Sequence, residues 1–242
     1  MRERPILFSG AMVRALLSGA KTQTRRAVKR QFAANAEPAE MAATNESGWQ
    51  ISGHSGVWWD DTAGNPDEAI RCPFGAPGDK LWVREAWRID SWDDGCGFWL
   101  DYCDGPRKVR LETDPDTAHK LILQTGDELE RKRIKPTNGT MYEWAPGDSP
   151  LRWRPSIHMP RWASRITLEV TSVRVERLKD ISPADCVEEG YASPPGSRYA
   201  QEELSALDWY RSLWEQINGP GSWNAAPWVW VIGFRRVVGA PE

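Results

Sequence analysis

The spacing of apolar residues predicts a short strand and then a helix near the beginning of the chain. The segment 5–9, "PILFS", is extended in character. Apolar side chains then recur at helical spacing, at Met12, Val13, Leu16 and Leu17. Ser9 is suited to cap the start of this helix, and Gly19 is suited to its end. The following residues, "KTQTRRAV", alternate in character and predict a second strand.

A long strand is predicted from the alternation in "RITLEVTSVRVERL", residues 165–178. Its apolar positions are Ile166, Leu168, Val170, Val173 and Val175. The phase of the alternation changes near Thr171 and Ser172, which predicts a β-bulge or a strong bend. Two more strands are predicted, one after the turn "PGD" at 77–79 and one in "PWVWVIGFRRV" at 227–237.

Two helices are predicted in the last quarter of the chain. The segment "ISPADCVEEG" has Ser182 as a candidate N-cap, Pro183 at the first helical position and Gly190 near the end. Residues 201–217 predict a longer helix, which ends at "NGPGS". Its apolar face is formed by Leu204, Leu207, Tyr210, Leu213, Trp214 and Ile217.

Two long stretches, 31–72 and 92–150, show no sustained period of apolar residues. We interpret both as irregular insertions. The remaining strands are scattered and the helices are few, which favours an α+β protein built on a small mixed β-barrel with flanking helices. We therefore expect a single domain over 1–242, with insertions at about 31–72 and 92–150.

Composition and charge limit the class of protein. The chain has 242 residues, 40% of them hydrophobic, and a formal net charge of −3 at pH 7. This charge argues against a nucleic-acid binder that uses its whole surface, but it allows a local basic cleft. No apolar run approaches the ~20 residues of a membrane helix, and the N-terminus lacks the apolar region of a signal peptide. We expect a cytoplasmic protein that does not associate with a membrane.

Cysteine and histidine are too sparse for a familiar zinc site. The four cysteines form no Cys-x-x-Cys pair, and the chain has three histidines. We expect neither a metal nor a cofactor. Tryptophan, by contrast, is abundant at 15 residues. Most of these rings are expected to pack in the core, but one or two would suffice to stack on a flat ring such as a nucleobase.

The segment 18–26, "SGAKTQTRR", concentrates cations around two threonines. A cluster of this kind is most often a solvated basic surface. The alternative is that Lys21 and Thr24 act together on a substrate. Residues three apart on an extended strand point in opposite directions, so the backbone must turn or bulge after Gly19 for both side chains to reach one ligand.

An ordered set of motifs resembles the ASCH domain of the PUA-like superfamily. The motifs are the short helix that ends at Gly19, Lys21-Thr-x-Thr24-x-Arg26, Gly78-Asp79 before a strand, Leu178-x-x-Ile181 followed by Glu189-Gly190, and the "WVWVIGFRRV" strand. The chain looks like the larger phage- or prophage-borne branch of that family. The core of the resemblance covers about 5–30, 73–90 and 160–240.

The resemblance implies a β-barrel with a cleft, and its nearest enzymatic likeness is to small bacterial N4-acetylcytidine amidohydrolases. Those enzymes use a lysine and a threonine of the "K-T-x-T-x-R" stretch and a glutamate of the later helix. By resemblance these catalytic residues are Lys21, Thr24 and Glu189 here, with Glu188 as the adjacent alternative. Arg25 departs from the pattern, since the small enzymes usually have an apolar residue at this position.

Five further residues are candidates for binding the substrate. Arg26, with Arg25 beside it, is a candidate for binding the developing oxyanion or a carboxylate. Glu85 is a second candidate carboxylate for the cleft, and Trp82 in the same segment is a candidate contact for the substrate. His158 is a candidate for a wall or lid over the cleft, while a packed loop explains "PSIHMPRW" equally well.

The function that the resemblance implies is metal-independent removal of N4-acyl groups from cytidine-type nucleosides or bases. One alternative is a non-catalytic reader that stacks a modified nucleobase of RNA or DNA in the same cleft. A second alternative is a ribonuclease, since some relatives in the family are reported to cleave RNA. The net negative charge favours a small nucleoside over a long polyanion as the partner. The sequence carries no signal for an oligomeric state.

Overall fold

The structure is a computed structural model that describes residues 1–32, 35–44, 50–60, 69–93, 96–104, 109–136, 142, 144–145, 147–192 and 199–237. Contacts between Cα atoms divide the chain into two compact units. The first unit contains Met1–Arg4, Ala15–Leu81 and Thr167–Glu242, and the second contains Pro5–Arg14 and Trp82–Ile166. The expectation of one ASCH-like domain over 1–242 stays a prediction.

Eleven strands and four α-helices occur in the described ranges. The strands are β1 (Glu3–Leu7), β2 (Gln23–Ala27), β3 (Pro38–Thr44), β4 (Gln50–Asp60), β5 (Ile70–Arg71), β6 (Lys80–Arg84), β7 (Trp87–Trp92), β8 (Gly97–Tyr102), β9 (Val109–Glu112), β10 (Thr167–Arg177) and β11 (Trp228–Arg236). The helices are α1 (Gly10–Leu17), α2 (Pro115–Arg131), α3 (Pro183–Glu188) and α4 (Tyr199–Asn218). Within these ranges no helix combines the length and the apolar character needed to cross a membrane.

The largest sheet is open rather than closed into a barrel. It has the strand order β1-β6-β10-β11-β2, and in the described structure β1 and β2 are its two edges. The remaining strands form two three-stranded sheets, β3-β4-β5 in the first unit and β7-β8-β9 in the second. The α+β class is confirmed, and the described strands form no closed barrel where the sequence predicted a small mixed β-barrel. Alternation along a strand indicates which faces are buried, but it carries no information on whether the edge strands meet.

The long strand β10 carries the predicted bulge. Its pairing with β11 shifts by one residue between Val170 and Ser172, so Thr171 is the extra residue. Gly233 of β11 lies opposite Ser172. A Cβ atom at Gly233 would collide with the Ser172 side chain and lie 3.1 Å from the Thr171 Oγ1. The close approach at the bulge therefore favours a glycine at 233.

The helices of the first unit begin and end close to where the sequence predicts. Ser182 and Asp185 form a capping box at the start of α3: the Asp185 N–H donates to the Ser182 Oγ at 3.1 Å, and the Ser182 N–H donates to the Asp185 carboxylate at 2.9 Å. The helices α3 and α4 pack on β11 around one apolar core. Its buried members are Leu178, Ile181, Cys186, Ala206, Tyr210, Trp214, Val229 and Val231.

The two stretches contain regular structure, so the prediction that they are irregular was wrong, whereas their interpretation as insertions stays a prediction. Within 31–72 the chain forms β3, β4 and β5, and within 92–150 it forms β8, β9 and α2. Parts of both stretches lie outside the described residues. In the first stretch, small residues occupy many strand positions, as in "PAEMAAT" and "QISGHSG". Small side chains give a weak apolar alternation, which hides strands from pattern analysis.

Helix α2 has a narrow apolar stripe on an otherwise charged surface. Asp114 caps the helix by accepting a hydrogen bond from the Thr117 N–H at 2.9 Å, and Pro115 occupies the first turn. The buried positions are Ala118, Leu121, Thr125, Glu128 and Leu129. The apolar ones pack into the core of the second unit, which also contains Trp87, Phe98 and Tyr102. Charged residues dominate the rest of the helix, so its period is hard to see in the sequence.

Leu129→Ala is expected to destabilise the protein by about 2–5 kcal/mol, because Leu129 is fully buried and its truncation leaves a cavity. Leu123→Ala in the same helix is the matched control. Since Leu123 is 56% exposed, its truncation should change the free energy of unfolding by less than about 0.5 kcal/mol. Urea unfolding followed by circular dichroism measures the difference. Equal destabilisation by the two substitutions would contradict the orientation of α2.

Candidate functional site

A short segment after α1 positions Lys21. Gly19 follows the helix with a φ of +78°, in the left-handed region that glycine adopts readily. The chain then turns, and the Lys21 N–H donates to the Ala15 carbonyl at 3.1 Å. The Thr22 N–H donates to the Glu188 carbonyl at 2.9 Å. These bonds hold Lys21 between α1 and the C-terminal end of α3.

Glu189 directly follows α3, and Gly190 allows it to approach the lysine. The Glu189 N–H donates to the Asp185 carbonyl at 2.8 Å, which continues the helical hydrogen bonding by one residue. Gly190 has a φ of +104°. A Cβ atom at this position would lie 3.0 Å from the Ala15 Cβ and 3.6 Å from the Lys21 Cβ. Both the backbone conformation and the close approach favour glycine at 190.

Lys21 and Glu189 form a buried ion pair. The Lys21 Nζ lies 2.6 Å from the Glu189 Oε2 and donates a second hydrogen bond to the Glu189 main-chain carbonyl at 2.8 Å. The side chains of Lys21 and Glu189 are 0% and 2% exposed. Removing two charges from water is costly, and a short contact with additional hydrogen bonds offsets that cost. Loss of either partner alone would leave an uncompensated buried charge.

Arg25 is a second cation beside Glu189. Its Nη1 lies 3.6 Å from the Glu189 Oε1, while its Nη2 lies 3.1 Å from the Glu176 Oε2 and 3.2 Å from the Asp185 Oδ2. Burial opposes the charged guanidinium, but these carboxylates, Asp185 foremost, outweigh it and raise the pKa of Arg25. Arg25 is therefore a fixed positive charge shared among three carboxylates.

Burial lowers the pKa of Lys21 below the ordinary value of a lysine. Glu189 opposes this shift because it stabilises the ammonium group, whereas the charges of Arg26 and Arg25 add to it by repulsion. Burial also lowers the pKa of Arg26, again with Glu189 in opposition. The phenol of Tyr210 stays neutral beside these charges, because burial, aided by Glu189, raises its pKa well above the usual value. A lysine with a lowered pKa is suited to act as a general base.

Two polar residues outside the predicted set tie the strands to the start of α3. The Asp185 Oδ1 accepts hydrogen bonds from the Gln23 Nε2 and from the Arg174 Nη2, each at 3.0 Å. The Arg174 Nη1 also donates to the Gln23 Oε1 at 3.0 Å. Sequence reasoning missed Gln23 and Arg174, because their partner is distant in the chain and polar strand residues usually face solvent. The capping signal from Ser182 to Asp185 marks only the start of the helix.

Thr24 is buried in β2, on the opposite face of the strand from Gln23 and Arg25. Its Cα pairs with that of Ile232 in β11. Successive residues of a strand point to opposite faces, so Thr24 shares a face with Arg26. Gln23 and Arg25 share the other face, where they bind the carboxylate at the start of α3.

The structure thus brings part of the predicted catalytic set together. Lys21 and Glu189 are in contact, and the turn after Gly19 lies before β2 begins. A pocket shared by Lys21, Thr24 and Glu189 stays a prediction. The adjacent alternative, Glu188, is exposed, whereas Glu189 is buried. Burial therefore distinguishes two glutamates that the sequence alone does not separate.

Glu85, Trp82 and His158 belong to the second unit. Glu85 is buried, and its carboxylate accepts two hydrogen bonds from Arg165, at 2.9 Å from Nε and 2.7 Å from Nη2. Burial raises the pKa of Glu85, with Arg165 opposing the shift. The buried ring of Trp82 has the Arg84 Cζ 4.7 Å from its centroid, and His158 is exposed. Contacts of these three residues with a substrate stay predictions.

Comparison with known proteins gives no independent guide to the site. Searches against protein-family models, curated proteins and solved structures find no match for this chain. Among the side chains that the structure describes, no group of three or more His, Cys, Asp or Glu residues is arranged to hold a metal ion. The chemistry of Lys21 and its neighbours is therefore the basis for proposing a function.

Asp185 is the carboxylate on which several of these contacts converge. Partial burial opposes its ionisation, but hydrogen bonds from Gln23 and Ser182 and the charge of Arg25 outweigh this and hold the pKa of Asp185 well below its usual range. A lowered carboxylate pKa stabilises the folded protein at pH values above the unfolded-state pKa of about 3.9. That stabilisation is lost as the pH falls, because the unfolded chain takes up a proton that folded Asp185 does not.

Asp185→Asn is expected to lower the free energy of unfolding by about 1–3 kcal/mol at pH 7, since an uncharged amide then faces Arg25 and Arg174. The variant should also lose less stability than the wild type between about pH 5 and pH 2. Asp180→Asn is the matched control, because Asp180 is exposed. Chemical unfolding at a series of pH values measures both effects. Parallel acid profiles for the wild type and Asp185→Asn would contradict the assigned contacts.

Proposed function

We propose that this chain is an amidohydrolase that removes N4-acyl groups from cytidine-type nucleosides or bases without a metal ion. The observation that carries the proposal is the buried contact between Lys21 and Glu189. An amine of lowered pKa beside a carboxylate, withdrawn from water, is an arrangement typical of acid–base catalysis. The ordered ASCH-like motifs, which include both residues, supply the substrate class. A PUA-like fold relationship and a cytoplasmic location belong to the same proposal.

Hydrolysis of an N4-acyl amide needs a base, a nucleophile and a proton for the leaving amine. In the proposed reaction Glu189 takes up a proton from the Lys21 ammonium, and the neutral Lys21 amine then accepts the proton of the attacking hydroxyl. The oxygen of the nucleophile forms a bond to the acyl carbon, and the carbonyl oxygen becomes an oxyanion. A buried site strengthens each of these electrostatic interactions.

Collapse of the intermediate breaks the bond between the acyl carbon and N4. Lys21 returns its proton to N4, so the cytidine leaves as a neutral amine, and Glu189 then returns its proton to Lys21. With water as the nucleophile, the acyl group leaves directly as a carboxylic acid. With Thr24 as the nucleophile, an acyl-threonine forms first, and one water then releases the acid and restores the hydroxyl. Both routes consume one water and release one amine and one acid.

The position of β2 at one edge of the described sheet allows a substrate to meet residues of both its faces. An edge strand has no paired neighbour along one side. In the proposed complex, the ligand contacts Thr24 and Arg26 on one face of β2 and Lys21 in the turn before the strand. Because Arg26 shares a face of β2 with Thr24, we assign the stabilisation of the oxyanion to Arg26.

Lys21→Ala and Lys21→Arg are both expected to lower kcat for N4-acetylcytidine by about 10²–10⁴-fold, the contribution typical of a general base. Arginine keeps the positive charge but stays protonated at any working pH, so it cannot replace a base. The rate of cytidine release is measured by chromatography across a range of pH. In the wild type, this rate should rise with pH through an ionisation below the ordinary pKa of lysine. It should also be unchanged by a chelator.

Thermal unfolding of the same Lys21 variants separates loss of activity from loss of the fold. Full activity in a folded Lys21→Arg variant would exclude Lys21 as the base. Wild-type protein that binds modified nucleosides without turning them over would instead favour the reader of modified bases. Cleavage of RNA by the wild type, lost in Lys21→Ala, would favour the ribonuclease.

Glu189→Gln is expected to lower kcat by at least about 10²-fold, because an amide of the same shape cannot take up the lysine proton. Glu188→Gln is the matched control one residue away. It should leave the rate nearly unchanged, because the Glu188 side chain is exposed. Steady-state rates for the two variants, with unfolding curves for each, measure the contrast. A larger loss in Glu188→Gln would reverse the assignment of the catalytic carboxylate.

A further inference from the structure

A concave site lies in the first unit, beside the start of β1 and the turn before β6. Its volume is about 200 Å³. The residues that line it are Met1, Arg2, Arg4, Arg71, Cys72, Gly75, Ala76 and Asp79. Three of these are arginines and one is a carboxylate, which leaves an excess of two positive charges on the side chains. We refer to this site as the arginine pocket.

Asp79 is held by main-chain groups rather than by the arginine side chains. Its Oδ1 accepts a hydrogen bond from the Arg2 N–H at 2.7 Å, and its Oδ2 accepts one from the Ala76 N–H at 3.3 Å. Gly75, with a φ of +101°, makes room for this carboxylate, since a Cβ atom there would lie 2.7 Å from the Asp79 Oδ2. Asp79 therefore shapes the turn of the pocket through main-chain hydrogen bonds, and neither of these bonds involves a guanidinium group.

The three guanidinium groups have no carboxylate partner within the part of the chain that the structure describes. The Arg4 Nε is buried and makes no hydrogen bond to any described group. Burial raises the pKa of Cys72 to about 11 despite the nearby charge of Arg4, so the thiol is neutral at pH 7. The side chains that line the arginine pocket thus leave it with two positive charges in excess.

We propose that the arginine pocket binds the phosphate group of a ligand. Guanidinium groups donate planar pairs of hydrogen bonds that match the oxygens of a phosphate. Three of them supply enough positive charge to balance a dianion. The pocket is smaller than the ~300–1,000 Å³ of sites that enclose a whole drug-sized ligand. It therefore fits a phosphate group, with the rest of the ligand outside.

The arginine pocket is separate from the Lys21 site. The strands β1 and β6 lie at one end of the order of the five-stranded sheet, and β2 lies at the other. A nucleoside carries no phosphate, so its hydrolysis at Lys21 would not use this pocket. The phosphate can belong to a free nucleotide or to the backbone of a nucleic acid. In either case, phosphate binding by the arginine pocket does not depend on the proposed hydrolase activity.

The proposal is tested by calorimetric titration of the full chain. The phosphate probes are inorganic phosphate, cytidine 5′-monophosphate and a short oligocytidine. Cytidine is the matched probe without phosphate, and it should bind more weakly than cytidine 5′-monophosphate. Arg2→Ala and Arg71→Ala, at two exposed positions, should each weaken binding of the phosphate probes by about tenfold, the loss of one charge-assisted hydrogen bond. Arg211→Ala, an exposed arginine of α4, should leave the affinity unchanged.

Each outcome of these titrations is informative. Binding of phosphate and the mononucleotide with no gain for the oligonucleotide supports a free phosphate ester as the ligand. Binding of the oligonucleotide that is tighter than binding of the mononucleotide supports a nucleic-acid backbone as the ligand. In that case the salt dependence of the oligonucleotide affinity should be smaller for Arg71→Ala than for the wild type. Two results would overturn the proposal. One is that none of the three phosphate probes binds. The other is that binding persists in both Arg2→Ala and Arg71→Ala while these variants are folded.

Discussion

Burial of positive charge beside β2 is the constraint on which the candidate site depends. Lys21 and Arg25 lie in the interior, where each cation needs an anion within a few ångströms. The anions come from α3 and the residue that follows it, at Asp185 and Glu189. The position of α3 on the sheet is therefore fixed by charge as well as by apolar packing. Glycine at 190 completes the arrangement, because a side chain there would press on Ala15 of α1.

The same burial links stability to reactivity. A lysine in water is protonated at neutral pH and cannot act as a base, whereas the interior around Lys21 lowers its pKa. If the ion pair of Lys21 and Glu189 served only stability, apolar side chains of similar volume could replace it, often without loss of folding stability. A buried ion pair is thus a costly way to build a core. This cost is the physical reason for assigning the pair a role in chemistry, as the proposed amidohydrolase does.

The sequence predicted features that neighbouring residues determine and missed those that depend on distant partners. The N-cap at Ser182 and the bulge near Thr171 follow from a few adjacent residues, and both are present. Gln23 and Arg174 were missed, since nothing near them in the chain shows that they meet a carboxylate of α3. The contact between Lys21 and Glu189 spans 168 residues, and a resemblance between motifs indicated it where local pattern could not. The helix α2 was missed because charged residues surround its narrow apolar stripe.

The bulge in β10 has a consequence for insertions and deletions during evolution. Thr171 is the extra residue, so its deletion would leave β10 and β11 paired as before on either side of it. Val173 and Arg174 would keep their faces, and a regular strand would result. A deletion at most other strand positions would instead turn every following side chain to the opposite face. Homologous chains one residue shorter at 171 are therefore compatible with this fold.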